Sequence, residues 1–151
     1  MAANIFNDTD YVDIKNRINQ LNAASQRQWG QMSLAQMLEH CSIQLKKAIG
    51  IIPETACEGP AMYRNAFVRW LLFYAMPWTK GAATPSQMDM LHNGSPVADI
   101  HHSKQVLLGL LEKVQLQDHF NPHPFFGTMK KKDWGRLLWK HLDHHLKQFG
   151  N

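Results

Sequence analysis

Apolar residues recur in this chain at three- and four-residue spacing, in long segments separated by Gly and Pro. That period puts the apolar side chains on one face of a helix, and the strict alternation of a half-buried strand competes with it nowhere. The first segment runs from about Thr9 to Ala24, with Tyr11, Ile14, Ile18 and Leu21 on one face. Ser33 followed by Gln36 is a capping-box start for a second helix. That helix carries Leu34, Met37, Leu38, Cys41, Leu45 and Ala48 on one stripe and ends at Gly50. Residues 51–61, with Pro53, Gly59 and Pro60, read as a loop. A third helix, from about Met62 to Met76, is apolar nearly all round, and Pro77 ends it. The stretch Thr79 to Pro96 is the longest loop. A fourth helix spans roughly Val97 to Gln117, with Ile100, Leu107, Leu110, Leu111 and Val114 inward. Asp118 to Gly127 is turn-like, and the last helix runs from near Lys130 to Phe149. No internal repeat is present. The expected architecture is all-α, most simply a four-helix bundle with an extra helix, in a single domain over residues 1–151.

With 151 residues, the chain buries enough surface to fold without a disulfide or a structural metal. A composition 44% hydrophobic and 19% charged excludes both disorder and a coiled-coil rod. No apolar run reaches the ~18 residues of a membrane span, and Met1 to Asp10 lacks a signal pattern. Cys41 and Cys57 are too few for a disulfide framework, so a reducing cytoplasm is expected. A net charge of +4 is too modest to imply nucleic acid. Lys130, Lys131 and Lys132 read as a solvated face at a helix start, and no Gly-rich phosphate loop, G-x-S-x-G or CxxC occurs.

The unusual number is nine His, because imidazole is a common metal ligand and proton carrier near neutral pH. On the last helix, Trp134, Leu138, His141, Leu142, His145 and Phe149 share one side, and His144 lies about 60° from His141. The inward pair is therefore His141/His145, one turn apart and able to present two nitrogens to one ion. The spacing alone is weak, since His119/His123 repeats it among prolines. Its place on a core face strengthens it: two imidazoles side by side in a core are costly unless paired or coordinated. A third ligand is needed. His40 lies roughly 110° from the centre of the second helix's apolar stripe, while Cys41 lies nearer it, so periodicity leaves the two open. His101 and His102 fall off the apolar face of their helix, and His92 sits in the long loop. His123, between Pro122 and Pro124, suits a pocket wall or loop packing.

The segment Trp29 to Cys41 (Trp-Gly-Gln-Met-Ser-Leu-Ala-Gln-Met-Leu-Glu-His-Cys), His123-Pro124-Phe125-Phe126-Gly127, Trp134 and the run His141 to Gly150 resemble an uncharacterised branch of the DinB/YfiT-like superfamily of metalloenzymes. The resemblance covers the chain from about Trp29 to its end. It implies a four-helix bundle with up-down-down-up order and a divalent metal held by three His, one from the second helix and an HxxxH pair from a late one. Carried over by position, these are His40, His141 and His145. His123, His144 and Cys41 are further candidates for the pocket wall, read from their places in the sequence. Relatives of this kind include thiol S-transferases and a thiol-dependent isomerase, so a low-molecular-weight thiol is an implied cofactor.

Three neutral imidazoles leave a divalent ion its charge and at least one open position. Zn²⁺ or Ni²⁺ suits such ligands, and either lowers the pKa of a water or a thiol to give a nucleophile. The expected function is a metal-dependent enzyme, of thiol-transferase or hydrolase type, acting on a small molecule. A metal-binding protein without turnover and a helical interaction module are the alternatives. Glu39 and Asp143 adjoin ligands in sequence but point elsewhere on their helices. The excess of Trp70, Phe73, Tyr74 and Trp78 on the third helix suggests a homodimer interface.

Overall fold

The structure is a computed structural model and describes residues 1–53, 56–82, 84–93 and 99–151. Its helices are α1 (Asp8–Gln20), α2 (Leu34–Ala48), α3 (Ala66–Trp70), α4 (Met90–Asn93), α5 (Ile100–Gln115) and α6 (Lys131–Gln148), with 3₁₀ turns at Ala61–Arg64 and Ser86–Met88. Among the described residues there is no strand; one isolated bridge joins His123 and Gly127. No helix among them is long and apolar enough to cross a membrane. The expected loop through Gly94, Ser95 and Pro96 and the expected helix start at Val97 lie outside the described residues.

The four long helices meet in a ring, α1 against α5, α5 against α2, α2 against α6 and α6 against α1. Their inward stripes form the core: Ile14 and Ile18 of α1, Leu38 and Leu45 of α2, Leu107 and Leu111 of α5, Leu138 and Leu142 of α6. α1 ends at Gln20 rather than Ala24. Asn22 N–H donates to Ser25 Oγ at 3.0 Å and Ala24 N–H to Asn22 Oδ1 at 2.9 Å, and such local side-chain bonds compete with the helix. The capping box of α2 forms: Gln36 N–H donates to Ser33 Oγ at 3.2 Å and Ser33 N–H to Gln36 Oε1 at 2.8 Å.

The third helix differs from its expected continuous form. Asn65 breaks it, accepting from the N–H groups of Phe67 (2.9 Å) and Val68 (3.3 Å) as an N-cap, and Leu71–Ala75 widens into a π turn. The expected aromatic face divides accordingly. Phe73 is fully buried in the core, edge-on to Phe126 at 4.9 Å, so it is not an interface residue. Tyr74 O–H donates to Asp133 at 3.1 Å. Phe67 and Trp70 remain exposed, at 68% and 52%, with their rings stacked at 6.0 Å.

The helix buried on most sides is α2. Its apolar stripe faces the core, while Gln36 and His40 on its polar stripe bond to the 85–93 segment. Met88 and Met90 are buried there, and Gln36 Nε2 donates to Met90 O at 3.3 Å. The described part of the long loop therefore covers α2.

Candidate metal centre

The last helix presents His141 and His145 inward, one turn apart, and α2 brings His40 against them. The three are 4%, 5% and 8% exposed for His40, His141 and His145. Their ring centroids lie 4.8 Å (His40 to His141), 4.7 Å (His40 to His145) and 4.6 Å (His141 to His145) apart. One ring nitrogen from each lies within 4.8 Å of the others, so the trio can hold a metal ion. His40 Nε2 is 2.8 Å from His141 Nε2.

Hydrogen bonds on the far side of two rings set their tautomers. His40 Nδ1–H donates to Met88 O at 2.7 Å, leaving its Nε2 lone pair toward the cluster. His145 Nδ1–H donates to Gln148 Oε1 at 2.9 Å, and Gln148 Nε2 donates to Trp29 O at 2.9 Å, so that amide is fixed at both ends. This explains the Trp29-Gly30 pair. Gly30 has φ +80°, and a Cβ there would lie 2.5 Å from Gln148 Nε2. Burial lowers His40, pushes His145 down to about 3 and, with the neighbouring imidazoles, holds His141 well below its ordinary value. All three are neutral at pH 7, the form that binds metal.

The trio lies on the wall of a cavity of about 680 Å³. His123 and His144 line it too. His123 is held by a tight turn: its N–H donates to Gly127 O at 2.9 Å, Gly127 N–H returns to His123 O at 2.8 Å, and Gly127 has φ +67°. Burial, with the charge of Lys47 adding, pushes His123 down to about 3. His144 is half-buried, edge-on to Trp29 at 5.7 Å and Trp78 at 5.9 Å, and Trp78 also meets His141 edge-on at 5.7 Å. Cys41, expected as a pocket residue, is not among the lining side chains. Its Sγ points into the core, 3.7 Å from Met37 Sδ, and burial raises its pKa. His101, His102 and His119 are exposed. His92 sits on the short α4.

Two supporting groups were not read from the sequence. Gln148 was visible as the i+3 neighbour of His145 on one helix face. The carbonyl of Met88 had no side-chain signal, because a backbone group carries none.

Asp143 turns from the cavity to pair with Arg17 Nη1 of α1 at 2.9 Å and with Lys147 Nζ at 2.8 Å. Arg17 also donates to Asn151 O at 3.0 Å, so this cluster ties α1 to the end of α6. The Arg17 and Asp143 side chains are only 15% and 13% exposed, which screens the pair little. Asp143→Ala is expected to cost about 1–3 kcal/mol, lowering Tm by roughly 3–10 °C for a chain of this size, measured by scanning calorimetry. An unchanged Tm would show that the cluster adds nothing.

A family model described as Protein of unknown function (DUF1569) matches residues 6–151. The chain belongs to this family. No curated protein and no solved structure matches it. The match takes in all the motif segments, from Trp29 to Gly150, that surround the histidine cluster. It carries no link to the DinB/YfiT-like superfamily.

Proposed function

We propose that the protein is a metal-dependent enzyme in which His40, His141 and His145 hold one divalent ion, Zn²⁺ or Ni²⁺, for thiol transfer or hydrolysis on a small molecule. The observation that carries this reading is the convergence of three neutral, buried imidazoles on the wall of an open cavity. The residues fit an ion. The Nδ1–H bonds of His40 and His145 leave their Nε2 lone pairs turned inward, toward the point where an ion would sit among the three rings. A divalent ion supplies positive charge that makes a water or a low-molecular-weight thiol a nucleophile at neutral pH. The chain's own part is to position the substrate and to exclude water: Trp29, Trp78 and His144 line the cavity, and Leu72, Phe126 and Leu137 add apolar wall.

The ring of α1, α5, α2 and α6, with one His on α2 and an HxxxH pair on α6, supports a single domain of DinB/YfiT-like type, a four-helix bundle in up-down-down-up order with an extra helix. Two free cysteines suit a cytoplasmic setting. Elemental analysis of the purified protein, followed by a screen of thiols with electrophiles, tests the function. One ion per chain with turnover supports it. Unfolding on chelation without any turnover would make the ion a brace between α2 and α6 instead.

We also propose a homodimer through the exposed face of α3. Phe67 and Trp70, exposed with their rings stacked, make an apolar surface of the kind that soluble monomers seldom leave bare. Light scattering at micromolar concentration is expected to give twice the chain mass, and Trp70→Glu to give monomers with an unchanged melting profile. One chain mass for the wild type would end the dimer proposal.

A further inference from the structure

Gln44 stands one helical turn after His40 on α2 and lines the same cavity. It is 3% exposed, and its Oε1 has no hydrogen-bond partner among the described residues. A buried carbonyl oxygen without a donor is costly, and a Leu at this position would bury the same volume without that cost. The oxygen therefore points to something that brings a donor into the cavity.

His123 supplies the complementary group. Its Nδ1 accepts from the N–H groups of Phe125 (3.1 Å) and Phe126 (3.4 Å), so the ring proton sits on Nε2. That Nε2–H has no partner among the described residues, and His123 lines the cavity. Both residues line that one cavity. Asn121 N–H donates to Ala48 O at 3.0 Å, which docks the His123 turn on the last turn of α2, four residues on from Gln44. Around them the wall is apolar, with Leu72, Phe126 and Leu137.

We propose that Gln44 and His123 form an amide-binding pole of the cavity, and that its ligand is a small apolar molecule carrying a carboxamide. The amide carbonyl accepts from His123 Nε2–H, and the amide N–H donates to Gln44 Oε1. A carboxylate offers only acceptors and would set an anion against Gln44 Oε1. A ketone or ester satisfies His123 and leaves Gln44 unpaired. This inference rests on reading the cavity as the substrate site of the metalloenzyme, but both contacts are made by protein side chains alone.

The test uses two probes of one shape, 3-phenylpropanamide, whose syn N–H lies beside its carbonyl, and 4-phenylbutan-2-one, in which a CH₃ replaces the NH₂. Their binding to the full-length protein is measured by calorimetry or by ligand-observed NMR, with metal content determined on the same samples. The amide is expected to bind about tenfold or more tightly than the ketone. Gln44→Leu should erase that preference by weakening the amide alone, with metal content and melting temperature retained. Equal binding of the two probes to the wild type, a preference that survives Gln44→Leu, or no binding of either at millimolar concentration overturns the proposal. In the first case a buried water, not a ligand, satisfies Gln44. A wild type that holds no metal yet prefers the amide overturns the metalloenzyme reading and leaves this one standing.

Discussion

His141→Ala protein is expected to purify without stoichiometric metal, while His101→Ala protein keeps about one ion per chain. His141 is one of the three proposed ligands. Its ring meets those of His40 and His145 at 4.8 and 4.6 Å, and Trp78 packs against it edge-on at 5.7 Å. Its removal leaves two imidazoles, from α2 and α6, with no third donor among the described residues to take its place. His101 is exposed on α5 and serves as the control for a general loss of histidine. Gln148→Ala gives the graded case. It cuts the bond to His145 Nδ1 but leaves all three imidazoles, so affinity should fall about 10- to 100-fold rather than vanish. The measurement is elemental analysis after dialysis against a weak chelator, with competition titrations for Gln148→Ala. Equal metal retention in wild type and His141→Ala would falsify the ligand assignment.

The two halves of the triad differ in how far the sequence could reveal them. His141 and His145 were legible because α6 is a regular helix of 18 residues, on which 100° per residue locates an inward face. His40 and Cys41 were not separable that way. Periodicity assumes one buried face, and α2 has two: Cys41 belongs to the core stripe, and His40 to a polar stripe covered by Met88 and Met90. That cover comes from a segment more than forty positions away and is pinned by backbone carbonyls, which leave no mark in a hydrophobic pattern. The resemblance to a three-His superfamily pointed to His40, and the three rings do lie together. The third helix failed for a related reason. Its apolar residues suggested one continuous element with spare faces, but Asn65 and the π turn rotate Phe73 into the core and leave Trp70 outside.

Gly135→Ala is expected to destabilise the fold, against the ordinary helix preference. In a helix interior, Ala is favoured over Gly by about 1 kcal/mol. Here the missing side chain makes room for the N-terminal segment. A Cβ at Gly135 would lie 2.1 Å from Asn4 Oδ1 and 2.4 Å from Phe6 Cδ2, well inside contact distance. Neither neighbour is free to swing away. Asn4 donates through Nδ2 to Lys132 O at 2.9 Å and accepts from Phe6 N–H at 3.0 Å, and the Phe6 ring sits edge-on to Phe120 at 5.9 Å. The segment must therefore lift as a unit. Lifting it breaks the Ile5 N–H bond to Gly135 O, 3.1 Å long, and exposes Ile5, which is fully buried. Overpacking costs about 1–3 kcal/mol, and freeing a buried Ile costs about 2–5 kcal/mol, so the loss exceeds the helix gain. A net penalty of about 2–4 kcal/mol corresponds to a Tm lower by roughly 5–15 °C for a chain of this length. Thermal unfolding followed by circular dichroism decides it: a Tm equal to or above the wild type would mean that the segment rests on α6 too loosely to feel a methyl group.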